Sequence, residues 1–377
     1  MIKTLSRSLI NLISRRIGRK IVVVESDDWG TIRMPSRAVY ECFLKNGFHV
    51  DKDPYCKFDA LESSSDLSNL FDILQSVRDK NGKHPIITAN TILANPDFER
   101  IKESNFSEYH YEPFFNTYQR STYDSKTPKL WKEGMDAGIF RPQFHGREHL
   151  YVKKWLKCIS QADSPARVSF DLGTFGLTSV VHKSIPDNFM GAFNSGLNED
   201  IVEFKEILTD GLNMFNNLFG YRSRSFIATT YTWHPLIETH LAINGVEYLQ
   251  GMIHQRIPID DDSNFAFKKS NFTGWYSKSK LMYLSRNSFF EPTQLPTFDW
   301  VSDCLKRIEL AFFWGVPVIL STHRLNFIGS IFPNNSSNSL LLFKNLLQRI
   351  VTKYPDVEFM SSDELGQLMK EGHEIKD

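Results

Sequence analysis

Ile21-Val22-Val23-Val24-Glu25-Ser26-Asp27-Asp28-Trp29-Gly30 joins an unbroken apolar run to a pair of carboxylates and a turn glycine. Four consecutive branched aliphatic residues without polar alternation read as a strand covered on both faces, as in a parallel sheet flanked by helices. Further short candidates follow at Pro85–Ala89, Val168–Leu172, Ser225–Ala228 and Val246–Leu249. Leu281–Leu284, Val316–Leu320 and Val357–Met360 complete the set. Between them lie helical faces. Ile201, Phe204, Leu208, Leu212 and Phe215 form one, with Gly220 as its stop; Val301, Leu305, Ile308 and Phe312 form another, stopped by Gly315. Leu340, Phe343, Leu347 and Ile350 form a third, and Ser361 with Glu364 is a capping-box signature for the last helix. About seven strand–helix units fit an irregular barrel, and the pattern alone leaves a doubly wound open sheet open.

The chain has 377 residues, a length compatible with one barrel carrying long insertions. We read residues 1–20 as a basic N-terminal segment and 21–377 as one barrel domain. The stretch from about 36 to 136, rich in Tyr, Asn, Ser and Lys, reads as an insertion around the site. Residues 256–280, with Asp260-Asp261-Asp262, read as an exposed excursion. Composition is that of an ordinary globular chain, which excludes a disordered, collagen-like or disulfide-scaffold protein. Lys plus Arg and Asp plus Glu both number 44, so no charge excess points to a nucleic-acid partner. Cys42, Cys56, Cys158 and Cys304 lie far apart without a C-x-x-C pair and read as reduced, buried thiols.

Residues 1–20 carry six Lys/Arg and no acid, with Leu5, Leu9, Leu12, Ile13 and Ile17 at helical spacing. Asn11 interrupts the apolar run and arginines follow it, which fits a secretory leader poorly. Two readings stay open: an amphipathic helix on an anionic membrane face, or a helix packed on the domain. No run approaches the about 18 apolar residues of a membrane span. The expected location is cytoplasmic, with the inner membrane face as an option.

Three groups of chemically able residues each sit just past a predicted strand, where parallel α/β folds gather their ligands. Asp27 and Asp28 follow the first. Adjacent residues of an extended chain point to opposite sides, so both serve one centre only if the chain turns there; a capping or turn pair is the bland alternative. His145-Gly146-Arg147-Glu148-His149 follows the segment Gly138–Phe144, and residues i and i+4 of a helix can bring both imidazoles to one metal. His323 ends the run Val316–His323 and is placed to act as a general acid or base. Together they make the inventory of a metal-assisted hydrolase.

The order Asp27-Asp28, His145-x3-His149, Leu320-Ser321-Thr322-His323 resembles the polysaccharide deacetylases of the NodB-homology, carbohydrate esterase family 4 type, over residues from about 20 to 325. The resemblance implies an α/β fold, a distorted (β/α) barrel of about seven strands. It implies removal of acetyl groups from an N-acetylated sugar or glycan precursor by a divalent metal, most often Zn2+. It also implies Asp27 as base, Asp28, His145 and His149 as ligands, and His323 as acid. The sequence departs from the family at Trp29, which precedes Gly30, and at Gly146, where Ser or Thr is usual. The family's third motif is replaced by Tyr221–Trp233, where Arg222 or Arg224 is the candidate to orient the base. Asp299-Trp300 stands in the place of an Asp/Trp motif, with Asp299 either tuning His323 or capping a helix. Trp29, Tyr231 and Trp233 are candidate sugar platforms or core, and Arg324 and Asn326 are candidate substrate contacts or strand-end caps. Two competing readings remain. One is an inverted-zincin metallopeptidase with Glu148 as base. The other is a glycan- or metal-binding homologue without turnover.

Overall fold

The computed structural model describes residues 10–185, 189–260 and 264–374. Its centre is a parallel sheet built on β1 (Ile21–Trp29), which is buried along its whole length. The other strands are β2 (Ile87–Ile92), β3 (Phe140–Gly146), β4 (Ser225–Phe226), β5 (Tyr248–Gly251), β6 (Met282–Ser285), β7 (Ser288–Phe289), β8 (Val318–His323) and β9 (Glu358–Met360). Spatially they run β6-β5-β4-β3-β2-β1-β8-β7, with β9 paired to the start of β1. The path therefore holds eight strands rather than about seven. The extra one arises because β6 and β7 are successive halves of one extended segment. The Arg286 amide bonds to Gly251 O on β5, and the next amide, of Asn287, bonds to Ile319 O on β8. One segment thus changes partner between adjacent residues and joins the two ends of the sheet.

Side-chain alternation along β1 explains the two-sided burial. Val22 and Val24 pack outward against helices, alongside Leu67, Leu305 and Phe343. Ile21 and Val23 face inward with Tyr248, Met282 and Ile319, and Leu365 and Met369 close that end. Glu25 and Asp27 continue the inward row. Around the sheet pack α1 (Ser64–Gln75), α2 (Thr127–Asp136), α3 (Asn198–Phe219), α4 (Trp300–Phe313) and α5 (Pro333–Lys353). A last helix, α6 (Ser362–Glu374), begins where the Ser361 amide donates to Glu364 Oε2 at 2.8 Å.

Several sequence expectations change. Val168–Leu172 is not a strand; it belongs to a helix, Pro165–Asp171, because Ser164 caps it and Pro165 presets its first turn. The stretch 36–136 is not one insertion, since β2, α1 and α2 belong to the barrel. The excursion after residue 253 is an antiparallel hairpin, His254–Pro258 with Phe265–Ser270, and Asp261 and Asp262 lie outside the described residues. Residues 1–9 of the basic segment also lie outside them. Residues 10–13 are helical, and the following stretch pairs onto the domain through Arg15 N to Thr273 O and Ile17 N to Gly315 O. Cys56 and Cys304 are buried, whereas Cys42 and Cys158 are only half-buried. No helix among the described residues is long and apolar enough to cross a membrane.

Candidate functional site

The site begins with a distortion of β1. Asp28 adopts φ +76°, and the β1–β2 register slips between Ser26 and Trp29. This is the turn that neighbouring carboxylates need to face one centre, and Asp tolerates the left-handed region better than most residues. Gly30, at φ +83°, completes it: a Cβ there would lie 2.4 Å from Ile92 O. Trp29 points the other way. It is 1% exposed and packs edge-on against Trp131 and Phe140, so it is core and not a sugar platform. Trp233 is equally buried and donates to Glu238.

His145 lies near the end of β3, and Gly146, at φ +131°, turns the chain into a loop that carries His149. The two imidazoles therefore meet through a glycine turn, not through i, i+4 on a helix; the helix starts only at Val152. His145 Nε2 and His149 Nε2 lie 3.5 Å and 3.2 Å from Asp28 Oδ1. These three ligand atoms all fall within 4.8 Å of one another, in a buried setting. His145 Nδ1 pairs with Ile227 O at 2.9 Å, which fixes the ring with Nε2 facing Asp28. Burial lowers the His149 pKa to about 4, so that imidazole is neutral at neutral pH, and its buried Nδ1 has no partner among the described residues. Arg33 holds the other Asp28 oxygen at 3.1 Å. Two imidazole nitrogens and a carboxylate oxygen form a donor set that suits a divalent cation such as Zn2+.

Beside it sits a second constellation. The β1–β8 register puts Asp27 opposite His323. Arg286, at the break between β6 and β7, grips Asp27 through both oxygens, at 2.6 and 2.7 Å, and Glu25 at 2.6 Å. All three side chains are buried. Asn90 donates to Asp27 at 2.7 Å. Burial alone would raise the Asp27 pKa; the Arg286 guanidinium outweighs it and holds the carboxyl well below its ordinary range. His323 is set the opposite way. Burial acts to lower its pKa, but Glu291, 2.6 Å from Nδ1, overcomes this and raises it to about 9. The Tyr231 hydroxyl bridges the pair, 3.0 Å from Asp27 Oδ2 and 3.1 Å from His323 Nε2. Thr230 and Tyr231 both hold positive φ, 55° and 58°. Strained backbone of this kind costs about 1–3 kcal/mol per residue and persists where the surroundings enforce it.

Other sequence candidates fall elsewhere. Asp299 caps α4 by accepting from the Ser302 amide at 3.0 Å and is exposed; Glu291 occupies the role foreseen for it beside His323. Arg224 precedes β4, at the opposite end of the strand from the site, and pairs with Glu247 at 2.7 Å; Arg222 is exposed. The arginine that orients Asp27 is Arg286. Arg324 is fully buried, bridging Asp59 and Glu62 beneath the site, so it is a structural ion pair and not a substrate contact. Asn326 donates to Glu291 at 2.8 Å and fixes it. Glu148 is buried against Arg147 at 2.6 Å and off any helix, which removes the inverted-zincin arrangement. Arg286 and Glu291 were the residues missed. Arg286 directly follows β6, as His323 closes β8, whereas Glu291 lies two residues past the two-residue β7.

Asp27, Asp28, His145, His149, Tyr231 and His323 line one cavity of about 260 Å³, walled also by Asp53 and Tyr55. Its size suits a single sugar ring or a ligand of that bulk.

No family model matches the chain, and no curated protein matches it. Solved structures similar to it include two proteins assigned as polysaccharide deacetylases. For the one from Mycobacterium smegmatis, identity is 12%, coverage is 96% of this chain and 94% of that chain, and the TM-score is 0.44. For the one from Pseudomonas aeruginosa PAO1, identity is 9%, coverage is 94% and 93%, and the TM-score is 0.48. The 4-alpha-glucanotransferase of Thermococcus litoralis is also similar, at 10% identity, 92% and 40% coverage and a TM-score of 0.42.

Proposed function

We propose that this chain is a metal-dependent hydrolase that releases acetate from an N-acetylated sugar. The observation that carries the reading is the adjacency of two sites: a buried Asp28–His145–His149 ligand group, and an Asp27–His323 pair whose proton affinities are driven apart. Asp28, His145 and His149 would hold the ion. A divalent cation there supplies positive charge that acidifies water and polarises an acetyl carbonyl.

The chain's own residues supply the proton traffic. Asp27, kept ionised by Arg286, accepts the proton that the attacking water loses. His323, kept protonated by Glu291, donates to the departing nitrogen through Nε2. An amine is a poor leaving group, so this donation is chemically required. The carbon–nitrogen bond breaks, the water oxygen stays with the acetyl carbon, and the products are acetate and the amino sugar. Tyr231 holds the two groups on one axis. The resemblance of the motif order supports an acetamido sugar as substrate, and the single-ring size of the cavity supports the same reading.

The test is metal content together with acetate release. Purified wild-type chain should hold about one divalent ion, Asp28→Ala should lose most of it, and acetylated sugars should yield acetate only with the wild type. A chain that holds the ion yet releases no acetate from any acetylated sugar would instead be a binding protein. A chain that holds none would remove the centre of the proposal.

A further inference from the structure

Behind Tyr231 lies a second, larger cavity of about 570 Å³, against about 260 Å³ at the ligand group. Thr230 and Tyr231 wall both cavities, so the two spaces adjoin. Their linings differ in charge. The first mixes Asp27, Asp28 and Asp53 with Arg33 and His323. The second is lined by Arg256, Arg286, Arg307 and His254, and by no Asp or Glu among the described residues. Arg286 is already committed to Glu25 and Asp27, and Arg307 to Asp303 at 2.6 Å. Arg256 is different. It is exposed, makes no ion pair with a carboxylate among the described residues, and rests over the Phe265 ring at 5.1 Å. Arg256 and His254 are two residues apart on one strand, so both project from the same face. Asn11, only 4% exposed, also lines this cavity, and its buried Oδ1 has no hydrogen-bond partner among the described residues.

We infer that the second cavity binds an anionic group, a phosphate ester or a carboxylate, carried by the substrate next to its acetylated sugar. Arg256 is the charged contact, with His254 beside it on the same face of the strand. This rests on the hydrolase reading of the adjoining site. The substrate class is then an acidic glycoconjugate: a diphosphate-linked acetamido sugar, or a glycan in which that sugar neighbours a uronic acid.

The experiment compares wild type, Arg256→Gln and Arg256→Lys as full-length, metal-loaded chains. Calorimetric titration with inorganic pyrophosphate and with glucuronate reads anion binding without turnover. Acetate release is measured for N-acetylglucosamine, its uridine diphosphate ester and its disaccharide with glucuronate. Expected is binding of at least one probe, weakened about tenfold or more in Arg256→Gln and partly restored in Arg256→Lys. The ratio of kcat/KM for the matching anionic substrate over the neutral sugar should fall by a similar factor in Arg256→Gln. The stronger probe decides between the phosphate and carboxylate sources. Equal binding by wild type and Arg256→Gln, or an unchanged ratio, would overturn the inference even if acetate is released. Arg256-dependent anion binding with no acetate release would keep it and sink the hydrolase reading alone.

Discussion

Replacing Arg286 by Met is the sharpest perturbation, because one guanidinium neutralises two buried carboxylates. It donates to Glu25 Oε2, to both Asp27 oxygens, to Tyr231 and to Ser321, at 2.6–3.0 Å. Breaking a buried ion pair by removing one partner costs about 3–5 kcal/mol. Two carboxylates are stranded here, which pushes the cost up. Asn90 still serves Asp27, and Gln250 and Ser362 still serve Glu25, which limits it. The expected loss is therefore about 3–5 kcal/mol at neutral pH. The pH dependence follows from signs. In the wild type the Asp27 pKa is depressed, so its contribution is present above the unfolded value of about 3.9 and fades as pH falls. In Arg286→Met, burial without the cation raises that pKa, so the variant loses stability as pH rises above the unfolded value. The gap between the two should thus narrow between about pH 7.5 and pH 5. Urea unfolding followed by circular dichroism at both values measures it. A gap below about 1 kcal/mol at neutral pH, or one that does not narrow on acidification, would refute the reasoning.

Three further outcomes are expected. His149→Ala should reduce bound divalent ion from about one per chain to near none, read by elemental analysis, and cut turnover at least about 100-fold. Turnover should fall as pH rises through about 9, where His323 gives up its proton, and Glu291→Gln should move that limb down towards the ordinary histidine value of about 6.5. Asp299→Ala should cost about 0.5–2 kcal/mol of stability as a lost helix cap while leaving kcat unchanged; a lost kcat would restore it to the site.

What the sequence reveals here depends on how local the signal is. The central strand, three of the helical faces and the grouping of Asp28 with His145 and His149 were legible, because apolar runs and the residues just past them are local patterns. Their geometry was not. The turn at Asp28 and the glycine turn after His145 depend on backbone angles that the same letters could avoid in another fold, and a helix was the simpler reading of the histidine spacing. Arg286 and Glu291 were hidden for another reason. An arginine that serves Asp27 from 259 residues away in the chain leaves no spacing rule to follow. Asp299 shows the converse error: it occupied the expected place in the sequence, yet its nearest donor is the amide three residues on, and local capping chemistry claimed it.

The segment 282–289 that joins the ends of the sheet bears on how the ring assembles. Before it arrives, a partly built sheet of β1 to β5 carries Glu25 and Asp27 on its inner face with no cation to meet them, so that face must stay hydrated. The residue that neutralises them sits at the point where the segment switches neighbours. Neutralisation of the interior and pairing of the two sheet ends thereby rest on one segment, and Arg286 meets Asp27 and Tyr231 only when it is in place. Native-state hydrogen exchange should register this as joint opening of the β5 and β8 amides beside the segment, and independent opening of the two would show that the seam is not a single unit. A permuted chain with new termini between Arg286 and Asn287 would cut the only covalent tie across that seam and separate closure from neutralisation.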